Sequence, residues 1–263
     1  MAAHGAQTTH GIGRVAFECF WRGPTTSGEP SARSHSYQGQ DLFVLEILDG
    51  MRGGFFVDSG ASNGVNGSNT KLLEEEFGWT GLCIEPNADL FAQLVRNRNC
   101  VCLDYCIYDR EGSVEFVEVA NVYGGILEQY DPEHLRLVTS MLGAGGQLPT
   151  RLKPARTICS VLREHAAPAV VDYWSLDTEG SELSILRSFP FDEYVVRVLT
   201  VEHNYSPARE RLRGLLERRG YVRVGSLGID DCYLWRSGFP LPAWRSRAWT
   251  RAGTGGGDRR RAS

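Results

Sequence analysis

The stretch FFVDSGASNG, residues 55–64, joins a short apolar run to an acid and then to a turn with two glycines. An apolar run of this length ending in a turn reads as a buried strand. The glycines allow a tight turn and close approach of backbone to a ligand. The next segment, NTKLLEEEFG (69–78), reads as a helix with Ser68 or Asn69 as N-cap and Gly78 as its stop. Strand, turn and helix open a β-α unit, and Asp58 stands where the unit would meet a ligand.

The same alternation continues along the chain. GLCIE is a second strand. NADLFAQLVRNR is a second helix, capped by Asn87, with Leu90, Phe91, Leu94 and Val95 on one face. VCLDYCIY reads as a third strand, and SVEFVEV as a hairpin partner or an added strand. After a long stretch from about 120 to 155, with a helical piece PEHLRLVTSML, come the helix TICSVLREHA, the strand VVDYWSLD, the helix SELSILRSF and the strand VVRVLTVEHN. SPARERLRGLLERRG is a helix that Ser206 should cap, with Pro207 in the first position. YVRVGSL and DDCYLW close the unit as an antiparallel pair. Alternating strands and helices predict a doubly wound α/β fold, a mostly parallel sheet with an antiparallel terminal hairpin. Its ligand belongs beyond the carboxyl ends of the strands.

Composition narrows the partners. The 263 residues carry a net charge of −4, which argues against specific nucleic-acid binding. No run is long and apolar enough to span a membrane. The N-terminus lacks a secretory pattern, so the sequence-based expectation is a cytoplasmic protein. The seven cysteines include no CxxC pair. Cys100, Cys102 and Cys106 fall on one face of the expected third strand and read as buried reduced thiols rather than a zinc site. Residues 1–34 read as a flexible tail that could dock through VAFECFW, and residues 243–263 as a disordered basic tail; 35–242 form the domain between them.

Four strand ends carry acids: Asp58, Glu85, Asp177 with Glu179, and Glu202. A phosphate loop would need GxxxxGK[ST], and a dinucleotide site GxGxxG; neither is present. Asp58 instead suits a cation, an amino group or a hydroxyl donor. Glu85, at the neighbouring strand end, suits ribose hydroxyls. Taken singly, Asp58 reads as a helix-dipole partner and Glu85 as a surface acid. Together they fit S-adenosylmethionine, which combines ribose, ammonium and sulfonium.

The motifs YQGQDLFVLEIL, GGFFVDSGASNGVNGSNT, GWTGLCIEPNADLFAQLVRNR, VDYWSLDTEGSELSIL and TVEHN, in this order, resemble those of the FkbM-like methyltransferases over about residues 37–225. The resemblance implies a Rossmann-like seven-stranded sheet of the class I methyltransferase kind, S-adenosylmethionine as cofactor, and methyl transfer to a hydroxyl oxygen of a small-molecule or glycan acceptor. It places Asp58, Gly60, Ala61, Gly64 and Asn69 around the cofactor turn, and Glu85, Pro86 and Asn87 on the ribose side. Tyr105 and Cys106 fall on the adenine side, in a segment bulkier than the family pattern. Asp177, Glu179 and Gly180 face the acceptor. Asn63 stands where the pattern has aspartate. The motifs also resemble the Star-like proteins of the secretory pathway, which use this domain in trafficking; that alternative makes the chain an inactive binding module.

Transfer to oxygen is helped by a base. His203 is the first candidate, because imidazole titrates near neutrality, and Asp177 the second. Asp177, Glu202 and Asn204 could together hold Mg2+, although no metal is needed for the assignment. Glu182 reads as favourable charge at a helix start. The 120–155 excursion should cover the site, with Tyr123, Tyr130, His134 and Arg136 available to the acceptor. Gln38–Asp41 could reach the methionine arm of the cofactor. Sequence does not fix the acceptor or the oligomeric state.

Overall fold

A computed structural model describes residues 34–119, 123–142 and 148–238. Both tail assignments, apart from residue 34, lie outside the described residues. Helix α1 (Gln40–Ile47) leads into β1 (Phe55–Ser59), α2 (Lys71–Phe77), β2 (Thr80–Ile84), α3 (Ala88–Asn97) and β3 (Val101–Leu103). Next come β4 (Cys106–Tyr108), β5 (Gly112–Val117), α4 (Pro132–Met141), β6 (Thr150–Thr157) and α5 (Ile158–Glu164). The chain then runs through β7 (Val170–Leu176), α6 (Glu182–Ser188), β8 (Val195–Glu202), α7 (Ala208–Arg218), β9 (Tyr221–Leu227) and β10 (Asp230–Trp235).

Seven strands form the main sheet in the order β3-β2-β1-β7-β8-β10-β9. The first five pair in parallel, and β10 runs antiparallel to both β8 and β9. This is the doubly wound sheet with a terminal hairpin that the alternation predicts. The order reverses at β1, whose neighbours are β2 and β7, so the switch point falls at Ser59.

Side-chain alternation explains why β1 can be apolar throughout. Val57, Trp174 and Leu199 pack on one face with Ile158, Val161, Leu162, Ile185, Leu186, Leu212 and Leu216 of α5, α6 and α7. Phe56, Tyr173 and Val198 pack on the other with Phe43, Val44, Leu72, Leu73 and Leu94 of α1, α2 and α3. Both faces are covered, so neither can be polar. Each such buried side chain contributes on the order of 2 kcal/mol through loss of water contact.

Several expectations change in detail. VCLDYCIY is two strands. Leu103 pairs with Ile84, the last residue of β2, so the strand has no further partner there. The chain leaves the sheet at Asp104–Tyr105, and Cys106 pairs instead with Ala155. Cys100 and Cys102 therefore pack near Cys83, whereas Cys106 joins a separate cluster with Tyr108, Val114 and Phe116. A three-stranded sheet, β4-β6-β5, results. SVEFVEV supplies its β5, and residues 150–155 supply part of its central strand, so the excursion ends sooner than expected.

At the caps, Thr70 rather than Ser68 or Asn69 occupies the N-cap of α2, while the Ser68 hydroxyl accepts from Lys71 N–H at 3.1 Å. Helix α7 begins one residue late, with Pro207 at the N-cap and no side-chain cap from Ser206. Val95 is half exposed rather than buried. Asn87 caps α3 as expected, accepting from Asp89 and Leu90 N–H. Its amide also donates to the Val119 carbonyl at 2.8 Å, tying α3 to the end of β5. Asn87→Ala should lower stability by about 1 kcal/mol, read from a urea unfolding midpoint with unchanged slope.

Candidate functional site

The turn after β1 is held by its own chain. Gly60 and Ala61 N–H both donate to the Ile84 carbonyl, at 2.9 and 3.1 Å. Ser62 N–H donates to Glu85 Oε2 at 2.8 Å. Gly64 N–H reaches the Ala61 carbonyl, and Val65 and Asn66 N–H both reach Asn63 Oδ1. Asn63 thus folds the turn locally as a side-chain acceptor. A phosphate cradle needs backbone N–H groups aimed at the ligand; here they are engaged inside the protein.

Gly60 has φ +89°, and any Cβ there would run into the carbonyl oxygen of Asp177. Asp177 N–H in turn donates to the Ser59 carbonyl at 3.0 Å. The ends of β1 and β7 therefore interlock at a position only glycine fits. Gly64 (φ +76°) packs against Leu94 and Arg98. It shapes the turn from behind and does not line the cavity, contrary to its expected place there.

Behind the turn, Asp58 Oδ2 accepts from the Thr70 hydroxyl at 2.6 Å. Arg98, with a fully buried side chain, donates to Thr70 and Ser68 and pairs with Glu74. Burial raises the Asp58 pKa to about 6, against the lowering effects of Thr70 and Arg98. Glu85 Oε1 accepts from Asn87 N–H at 2.8 Å, so both of its oxygens take a backbone donor. Burial nevertheless raises its pKa to about 7.

Asp58 and Glu85 line a cavity of about 630 Å³ at the carboxyl ends of the strands. Of the residues predicted for the site, Asp58, Gly60, Ala61, Asn69, Glu85, Pro86, Asn87, Tyr105, Cys106, Asp177 and Glu179 line it. Gln38 and Gln40 line it too. Asp41 turns away, accepting from the Ser34 hydroxyl and from His35 N–H. Tyr123, Gly124 and Ile126 line it from the excursion after β5, together with Phe116.

The far end is acidic. Ligand oxygens of Asp177, Glu179 and Glu202 lie within 4.8 Å of one another. Burial pushes all three carboxyls well up; the nearby Asp230 adds to this for Asp177, and Asp177 adds to it for Glu179 and Glu202. Asn204 Nδ2 donates to Glu179 Oε2 at 3.3 Å, and His134 Nε2 stands 3.3 Å from the same oxygen. Glu179, Asn204 and Tyr205 adopt left-handed backbone, φ +58°, +41° and +53°. Such strain persists where surrounding structure fixes it, often at functional sites. Glu182, the first residue of α6, holds the preceding loop, accepting from Thr178 and Gly180 N–H.

His203 is displaced from the role expected of it. It does not line the cavity. Its Nδ1 accepts from Tyr205 N–H at 3.0 Å, and its Nε2 faces Asp231 at 3.7 Å. Burial lowers its pKa to about 4. The strand-end position was legible; which way the ring turns depended on Asp231, held by Arg209, Arg223 and Ser226 from elements distant in sequence. Asp230 was the residue missed. It pairs in register with Glu202, and Gln40 donates to its Oδ2 at 2.8 Å. Only the DD at the start of a closing strand hinted at it.

Six carboxyl side chains line the cavity: Asp58, Glu85, Asp177, Glu179, Glu202 and Asp230. Among the described residues, no lysine, arginine or histidine does. Three buried acceptors on its wall, Asn69 Oδ1, Glu202 Oε2 and Asp230 Oδ1, have no hydrogen-bond partner among the described residues. Unpartnered acceptors and unbalanced negative charge both call for a donor-rich cationic ligand. S-adenosylmethionine, with its ammonium, sulfonium and ribose hydroxyls, fits that donor set.

Fold and cavity are those of a Rossmann-like S-adenosylmethionine-dependent methyltransferase. The chain belongs to the FkbM methyltransferase family, whose domain model, "Methyltransferase FkbM domain", matches residues 58–223. No curated protein matches it. Among solved structures, the N-terminal domain of human METTL16 is similar at 11% identity and TM-score 0.36, covering 73% of this chain and 66% of that one. A precorrin-6y C5,15-methyltransferase from Geobacter metallireducens GS-15 is similar at 13% identity and TM-score 0.39, covering 80% and 93%. A methyltransferase from Pyrococcus furiosus gives 14% identity and TM-score 0.35, covering 80% and 87%. Among the described residues, no helix is long and apolar enough to cross a membrane.

Proposed function

We propose that the protein methylates a hydroxyl oxygen of a small-molecule or glycan acceptor. The observation that carries this reading is a cavity lined, among the described residues, by six carboxyls and no basic side chain. Phosphorylated or carboxylated acceptors would be repelled from such a wall. A polyhydroxyl acceptor finds hydrogen-bond acceptors throughout it.

S-adenosylmethionine, when bound, supplies a methyl group to the acceptor oxygen, the C–S bond breaking as the O–C bond forms. In this reading Glu85 accepts from the ribose hydroxyls, and Asn87 holds Glu85 in place through its N–H. Asp58 lies beneath the turn and faces the ammonium. Tyr105 and Cys106 border the adenine, with Pro86 and Asn69 completing the wall. Asp177 and Glu179 orient the acceptor, and one of their carboxylates takes the hydroxyl proton. His203 acts as a positioning residue: neutral and buried, it fixes the Asn204–Tyr205 backbone that faces the acceptor. The segment after β5, carrying Tyr123 and Ile126, serves as the lid.

Calorimetric titration with S-adenosylhomocysteine tests the cofactor half. Binding in the wild type should weaken by about tenfold in Asp58→Ala, from loss of one charge-assisted contact. A correctly folded wild type that binds no S-adenosylhomocysteine would overturn the reading.

A further inference from the structure

Three thiols pack behind the cofactor turn, and the proposed function uses none of them. Cys83, in β2, is fully buried and is the register partner of Asp58 in β1. Cys100 is half-buried and stands one residue before β3, with its Sγ 3.5 Å from Cys83 Sγ. Cys102 is turned to backbone, its Sγ donating to the Cys100 carbonyl at 3.6 Å.

A cysteine attacks as its thiolate, which a neighbouring cation favours, and it must be reachable. Cys100 meets both conditions. The Cys102 and Cys83 thiols, and then the buried Arg98 guanidinium, hold its pKa well below the usual thiol range, against its own burial. Cys83 is the opposite case, since burial keeps its thiol protonated. One sulfur of the pair is built to attack and the other to resolve.

We propose that Cys100 and Cys83 form a redox-sensitive pair that hydrogen peroxide closes into a disulfide, and that the bond loosens the cofactor turn. The Cys100 thiolate attacks the peroxide. An S–O bond forms as the O–O bond breaks, and the released hydroxide takes up a solvent proton, leaving a sulfenic acid. The Cys83 sulfur then attacks the sulfenic sulfur. The S–S bond forms as the S–O bond breaks, and the Cys83 proton leaves with the hydroxyl as water. The two thiols lose two electrons and the peroxide gains them.

A disulfide is about 2.05 Å long, so the sulfurs must approach by roughly 1.5 Å. Strand β2 is paired on both sides, so the movement falls on Cys100. Cys100 N–H donates to Glu74 Oε1 at 2.6 Å, and Glu74 pairs with Arg98. Arg98 donates to the Thr70 hydroxyl at 3.0 Å, and that hydroxyl holds Asp58. Displacing Cys100 therefore pulls on the support of Asp58. The effect on the cofactor rests on the role of Asp58 in the methyl-transfer reading; formation of the disulfide does not.

Trypsin cuts after Arg96 and Arg98 and so puts Cys83 and Cys100 on separate peptides. After treatment of the purified full chain with hydrogen peroxide, non-reducing peptide mapping should show the two joined. S-adenosylhomocysteine should then bind about tenfold more weakly, with recovery on dithiothreitol. Cys102→Ser should behave as wild type. Cys100→Ser and, as a second variant, Cys83→Ala should lose the link and keep their affinity through the same treatment. A link that persists in folded Cys100→Ser overturns the pair. So does a wild type whose Cys100 stays reduced, or is trapped by dimedone as sulfenic acid with no link. A complete link with unchanged affinity overturns its effect on the turn. A wild type that forms the link yet binds no S-adenosylhomocysteine in either state overturns the cofactor reading and leaves the thiol pair standing.

Discussion

Gly60→Ala should cost on the order of 4 kcal/mol of stability and abolish S-adenosylhomocysteine binding in whatever fraction remains folded. The added methyl cannot be accommodated by a rotamer change, because what it meets is backbone, the Asp177 carbonyl. Its φ of +89° adds the ordinary penalty of left-handed geometry for an L side chain. Relief requires β1 and β7 to separate where Asp177 N–H bonds the Ser59 carbonyl. That movement would also displace Asp58 and the turn on one side and the acid group on the other. Thermal unfolding and calorimetry on the same preparation check both halves. A variant with wild-type melting and wild-type binding would mean that the two strand ends are not locked together as described.

The second large effect is electrostatic. Glu85→Gln should weaken S-adenosylhomocysteine by about 100-fold, the loss of a charged acceptor from two ribose hydroxyls. It should also remove a pH dependence. Glu85 titrates at about 7 and Asp58 at about 6 in the folded chain, both raised by burial. Ribose hydroxyls donate to the ionised form, so wild-type affinity should rise from about pH 6 to about pH 8, and the variant should respond much less.

Stability of the unliganded chain should move the other way. A carboxyl whose folded pKa exceeds its ordinary value keeps its proton in the fold while the unfolded chain has lost it. Stability therefore falls as pH climbs from the ordinary values, 3.8 and 4.5, to about 7, and then levels off. His203 contributes with opposite sign, because its depressed pKa makes protonation easier in the unfolded chain. Its share is lost as pH falls from 6.5 towards about 4. Denaturant titrations across pH, with and without ligand, separate the two trends.

Much of this arrangement was legible in the sequence because local signals agreed with one another. Asn87 and Gly78 punctuate α3 and α2 where their side-chain chemistry demands. The apolar runs of β1, β7 and β8 are covered on both faces, so their period carried no ambiguity. The acids at the strand ends could be placed because topology alone brings those ends together. What escaped notice depended on partners far along the chain. The small sheet exists because β6 finds β4 and β5 across a long excursion. Helix α1 was hidden by weak amphipathicity, since its buried residues include the polar Gln40 and Asp41. The orientation of His203 and the value of Asp230 were set by contacts with Asp231 and Gln40.

The cavity wall, with six acids and no basic side chain among the described residues, has a consequence for the life of the protein itself. Without a cationic ligand those carboxyls repel one another or take up protons, so the ligand becomes part of what keeps the chain folded. A ligand at 100 times its dissociation constant adds about 2.7 kcal/mol. Cellular supply of methyl donor would then govern not only turnover but how much protein survives proteolysis, and starvation for the donor would clear the enzyme before its gene was silenced.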